Sequence, residues 1–136
     1  MLSSERIGYN NCLSGLYVLM VGDDQEFISR IKKKLKDKGA FVNSHGDNLM
    51  KVLNVLDHFV PTCLVLVDVS GDTELMFRER LENYPSCSRP KILLISRVVS
   101  PFIEIESNDD LGFFAKGEER LPEKIIEKLI SLKQGV

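Results

Sequence analysis

LYVLMVGDD, residues 16–24, is the stretch on which the fold turns. Leu16–Val21 is an unbroken apolar run, too short for a membrane helix and right for a strand covered on both faces. It stops at Gly22, and two carboxylates, Asp23 and Asp24, follow at once. The next segment, QEFISRIKKKLKDKG, changes period. Phe27, Ile31 and Leu35 recur every four residues with charges between them, which predicts an amphipathic helix that Gly39 can stop. A buried strand followed by such a helix is the first half of a parallel α/β unit.

The same alternation continues outward. Ala40–Asn43 is a short strand candidate, and Asp47 is a helix N-cap candidate ahead of Leu49, Val52, Leu53 and Leu56. Pro61 separates that helix from Cys63–Val67, a second buried run ending at Asp68. A helix is predicted over about residues 72–83, and Pro85 and Pro90 mark the loop after it. Lys91–Ile95 is a third buried strand, ending at Ser96. Residues 97–110 form the least regular part: Phe102, Ile103 and Ile105 suggest a poor helix, or an exposed apolar patch. Leu111–Ala115 is the last strand candidate and ends at Lys116. Leu121, Ile125, Ile126, Leu129 and Leu132 then define a final amphipathic helix, with Pro122 tolerated in its first turn.

Strands separated by crossover helices lie parallel, and right-handed crossovers stack helices on both faces. The expected fold is a three-layer, doubly wound, five-stranded parallel sheet of order 2-1-3-4-5, flavodoxin-like. Residues 1–14 are polar and read as an N-terminal tail, leaving 15–134 as the domain.

Composition agrees with one ordinary domain: 136 residues, 43% hydrophobic and 28% charged. The net charge of -2 argues against direct nucleic-acid binding, which favours a basic excess. No apolar run reaches membrane-spanning length and the amino terminus lacks a signal-peptide core, so no membrane association and a cytoplasmic location are expected. Cys12, Cys63 and Cys87 form no metal-ligand pattern, and His45 and His58 read as surface residues.

In doubly wound sheets the site lies beyond the carboxyl ends of the strands. There the chain places Asp23 and Asp24, Asp68, Ser96 and Lys116. Carboxylates that converge repel unless a cation intervenes. Mg²⁺ suits such oxygen ligands, with waters and a phosphate completing its shell. Asp68 is then placed to attack a phosphoryl group, with Lys116 offsetting charge on its oxygens and the Ser96 hydroxyl donating to one of them. Read without Asp68, the Asp23–Asp24 pair is also an ordinary turn and N-cap.

Asp23-Asp24 in LMVGDD, Asp68 in LVLVDV, Ser96 in LLIS and Lys116 in FFAKG resemble the receiver domain of two-component response regulators, the family that includes the chemotaxis regulator. The resemblance covers about residues 15–134. It implies that Asp68 is the phosphoacceptor, that Asp23, Asp24, Asp68 and the backbone carbonyl of Ser70 hold Mg²⁺, and that Ser96 and Lys116 sense the phosphoryl group. It makes Phe113 the aromatic switch residue. It implies a histidine kinase or histidine phosphotransfer protein as donor, and a downstream protein partner on the surface of the fourth helix, fifth strand and fifth helix. It also implies no enzyme activity beyond the domain's own phosphorylation and dephosphorylation.

Four departures stand out. Gly117 follows Lys116 where the family has proline; Arg97 follows Ser96 where it has a small residue, at the mouth of the pocket; residues 69–74 lack a Met-Pro pair; and the fourth helix is poor. They support an alternative, a degenerate pseudo-receiver that works as a phosphorylation-independent interaction module. A nucleotide- or flavin-binding protein is disfavoured, because no glycine-rich phosphate loop is present and the first loop is acidic. The basic run Lys32, Lys33, Lys34, Lys36 and Lys38 reads as a solvated helix face or as a contact for an acidic partner.

Overall fold

The computed structural model describes residues 12–46, 49–85, 88–97 and 110–134. Its elements are β1 (Tyr17–Val21), α1 (Gln25–Asp37), β2 (Phe41–His45), α2 (Leu49–His58) and β3 (Cys63–Val67), then α3 (Gly71–Leu81), β4 (Lys91–Ser96), β5 (Asp110–Ala115) and α4 (Leu121–Gln134). The strands form one five-stranded sheet of order β2-β1-β3-β4-β5. Every pairing is parallel. This is the expected doubly wound, flavodoxin-like architecture. The calls on Asp47, Phe102, Ile103 and Ile105 lie outside the described residues.

The continuous apolar runs divide between two cores by strand alternation. Val18, Met20, Cys63, Val65, Val67, Leu93 and Ile95 point to one face, where α1 and α4 supply Phe27, Ile28, Ile31, Leu35, Leu121, Ile125 and Leu129. Leu19, Val21, Leu64, Leu66, Ile92 and Leu94 point to the other, against Val52 and Leu56 of α2 and Phe77 and Leu81 of α3. Burying each such side chain contributes about 1.5–3 kcal/mol before conformational entropy is subtracted. Leu13, in the stretch read as tail, is also fully buried on the α1–α4 side. Its amide donates to the Lys38 carbonyl at 2.8 Å. A single leucine among polar neighbours carries no periodic signal, so only the folded chain reveals that packing.

The turns aim the strand ends. α1 stops in a Schellman arrangement: Gly39 takes φ 97°, its amide donates to the Lys36 carbonyl at 2.9 Å, and the Ala40 amide to the Leu35 carbonyl at 3.1 Å. Gly22 leaves β1 so close to β3 that a Cβ there would lie 2.6 Å from the Val67 carbonyl oxygen.

Candidate functional site

Each site residue stands where a strand runs out. Asp24 is the N-cap of α1; one of its oxygens accepts from the Phe27 amide at 3.1 Å. It fills the cap role with one oxygen while the other, Oδ2, meets Lys116 at the sheet edge. Asp68 follows β3 with φ 51°, a left-handed conformation unusual for a residue with a Cβ. Its amide donates to the Ile95 carbonyl at 2.8 Å, which ties the strained residue to β4. Lys116 follows β5, and its amide donates to the Ser96 carbonyl at 2.7 Å. The Lys116–Gly117 bond is trans.

The ammonium of Lys116 joins the two carboxylates. It lies 2.5 Å from Asp24 Oδ2 and 2.7 Å from Asp68 Oδ2. Its side chain is only 12% exposed and its nitrogen sits 5.2 Å from the centre of the Phe27 ring. Arg97 adds two contacts to Asp68: its main-chain N–H donates to Oδ1 at 3.0 Å, and its Nε lies 3.5 Å from Oδ2. The guanidinium side chain is otherwise 76% exposed. Asp23 is exposed and shares an open cleft of about 650 Å³ with Asp24, Asp68 and Arg97.

These contacts set the protonation states. The Lys116 hydrogen bond, then that of the Phe27 amide, hold the Asp24 carboxyl below the usual carboxylate range. Burial pulls the Lys116 ammonium down, but hydrogen bonds to Asp24 and Asp68 outweigh it and leave Lys116 above the ordinary lysine value. Lys116 thus clamps Asp24 and Asp68 through one ammonium.

Three further sequence-predicted residues take no part in the Lys116 ion pairs. Ser96 closes β4 and is half-buried at the sheet edge. Ser70 is the N-cap of α3; its hydroxyl accepts from the Thr73 amide at 3.2 Å and its carbonyl accepts from the Glu74 amide at 2.9 Å. The helix begins directly at Gly71, so that carbonyl accepts its first intrahelical bond. Phe113 is half-buried and packs against the core beneath α2 and α3. His45 differs from expectation. It is half-buried, with Nε2 shut off from solvent and unpartnered among the described residues. Burial, followed by Lys51 and Lys32, pushes its pKa below the ordinary value.

Sequence reasoning did not anticipate the Phe27 ring under Lys116, nor the Arg97 main-chain donor. Phe27 was legible only as a core position of α1, and a backbone N–H has no residue signature.

A hard cation needs oxygen donors that converge on one point. Asp24 Oδ2 and Asp68 Oδ2 both touch one ammonium, so a single cation already bridges the two carboxylates. Mg²⁺ characteristically takes one or two carboxylates and completes its shell with water, so the pair fits. Among the described residues, no three acidic, histidine or cysteine side chains converge as a cage. Nor is any described helix long and apolar enough to cross a membrane.

No protein-family model and no curated protein matches the chain. Solved structures do. A response regulator protein from Burkholderia pseudomallei, with a phosphorylated aspartic acid, calcium ion and citrate, superposes with TM-score 0.65 at 15% identity, over 88% of this chain and 70% of that one. The N-terminal domain of a response regulator/sensory box/GGDEF three-domain protein from Carboxydothermus hydrogenoformans gives TM-score 0.60 at 16% identity, over 88% and 97%. A yeast Spc42 trimeric coiled-coil segment fused to another structure gives 0.65 at 18%, over 90% and 82%. The chain therefore has the fold of response-regulator receiver domains, with Asp24, Asp68 and Lys116 joined at the carboxyl edge of its sheet.

Proposed function

We propose that the chain is a phosphoacceptor receiver that takes a phosphoryl group onto Asp68 from a histidine kinase or histidine phosphotransfer protein. The observation that carries this reading is the clamp: a carboxylate at the end of the central strand, in a strained conformation, held by a half-buried lysine shared with Asp24. In the transfer, an Asp68 carboxylate oxygen forms a bond to phosphorus while the phosphorus–nitrogen bond of phosphohistidine breaks, its electron pair staying on the imidazole. Lys116 exchanges its Asp68 contact for a phosphoryl oxygen and neutralises part of the added charge. The Arg97 main-chain N–H holds the second oxygen of Asp68, which orients the attacking one.

Asp24 and Asp68 would hold Mg²⁺ directly, Asp23 through water, and Ser70 through the free lone pair of its carbonyl. When bound, the ion supplies positive charge to the phosphoryl oxygens. A downstream protein partner would read the state through Phe113 and the surface around β5 and α4.

A second reading, the pseudo-receiver, draws on Arg97. Lys116 and Arg97 already surround the Asp68 carboxylate with donors, so the site is charge-satisfied by side chains alone. Incubation with acetyl phosphate and Mg²⁺ separates the two by intact mass. Addition of one phosphate to wild type and none to Asp68→Asn supports the phosphoacceptor; no addition to either supports the pseudo-receiver. A Mg²⁺ titration that loses its response in Asp24→Ala checks the ion site.

A further inference from the structure

A second recess lies between α1 and the start of α4. It encloses about 370 Å³, a volume within the range of small-ligand pockets. Its floor is apolar: Phe27, Ile31 and Leu121 are 6%, 2% and 3% exposed, with Pro122 beside them. Its rim is cationic, with Arg30, Lys33 and Lys34 from α1 facing Arg120 at the turn into α4. Among the described residues, none of these four cations is paired with a carboxylate. The one acid in the lining, Glu118, is tied to Lys124 at 2.5 Å and does not cancel them. Lys116 closes the inner wall, but Asp24 and Asp68 already hold its charge.

Arg120 gives an independent indication. It takes φ 57°, a left-handed conformation that costs energy for a side chain with a Cβ, while its carbonyl accepts the Lys124 amide at 3.0 Å to begin α4. Glycine would sit there without strain, yet the chain keeps a guanidinium at the lip of the recess.

We propose that this recess binds a small amphipathic anion, one with an apolar or aromatic body and a single acidic group. The floor receives the body, and the four rim cations receive the charge. The occupant is a small molecule rather than a protein helix because the apolar residues form a sunken floor; the large apolar side chains that stand proud, such as Phe41, Met50 and Phe59, lie on other elements. The site does not depend on whether Asp68 accepts phosphate.

The test uses anilinonaphthalene sulfonate, an aromatic anion that fluoresces when shielded from water, against its uncharged counterpart phenylnaphthylamine. The folded chain is expected to bind one equivalent of the sulfonate saturably, more tightly than the neutral probe, and less tightly as salt rises. Removing one rim cation, in Lys34→Ala or Arg120→Gly, should weaken binding by about two- to fivefold each. Arg120→Gly should melt no lower than wild type, so its loss of affinity cannot be ascribed to unfolding. Amide resonances of Phe27, Ile31 and Leu121 should shift on binding. Absence of saturable binding, equal affinity for the neutral probe, or affinity unchanged in both variants would overturn the proposal. Saturable binding of an acidic peptide without binding of the sulfonate would overturn it in favour of a protein-docking face.

Discussion

Gly22→Ala tests how the first site loop is seated against the central strand. An added Cβ would meet the Val67 carbonyl oxygen at 2.6 Å, the Val67 Cβ at 3.0 Å and the Ile28 Cδ1 at 3.2 Å. Ile28 can rotate, but the Val67 carbonyl belongs to β3, whose strand is paired on both sides by β1 and β4. The strand cannot yield without disturbing both ladders. Overpacking a core costs about 1–3 kcal/mol, and a backbone obstacle puts this case at about 2–3 kcal/mol. For a chain of this size roughly 3–5 °C of melting temperature accompanies each kcal/mol, so a fall of roughly 6–15 °C is expected. Thermal melts followed by circular dichroism measure it. Gly71→Ala and Gly117→Ala are controls, since a Cβ at either meets nothing within 4 Å. A Gly22→Ala melt that coincides with wild type would refute the reasoning.

Arg97→Ala should speed loss of phosphate from the modified protein, because the guanidinium beside Asp68 both obstructs the attacking water and stabilises the phosphoryl charge; a mass time course with equal or slower loss would place Arg97 among surface residues. Asp24 sits below its ordinary pKa, so the unfolded chain takes up that proton first and stability falls as pH drops below about 4. Urea midpoints for Asp24→Asn should therefore depend less on pH across that window than those of wild type, and parallel curves would count against the Lys116 clamp. His45 is likewise held below its ordinary value, here by burial, so its contribution is present above about pH 6.5 and is lost as pH falls through the lower folded value. His45→Gln should flatten the fall of stability below about pH 6.5; an unchanged slope would mean that the ring is solvated.

The sheet was legible because its strands are covered on both faces. Leu16–Val21, Cys63–Val67 and Ile92–Ile95 are apolar without interruption, as strands of a parallel sheet covered by helices on both faces must be. Strand order then brought Asp24, Asp68 and Lys116 to one edge before any contact was known. The contacts themselves were not legible. That the carboxylates meet through Lys116 depends on the reach of one side chain and on the Phe27 ring beneath it. That Ser70 caps α3 appears only once the helix is seen to start at Gly71. Leu13 and His45 escaped because burial of an isolated residue leaves no period in the sequence.

The most direct measurement is to locate the phosphate. The chain is incubated with acetyl phosphate and Mg²⁺, reduced with borohydride to convert an aspartyl phosphate into homoserine, digested, and sequenced by mass spectrometry. The account predicts homoserine at position 68 in wild type, dependent on Mg²⁺ and strongly reduced in Lys116→Ala. Modification at another carboxylate, or an unmodified Asp68 under conditions that label an active receiver in parallel, would contradict it.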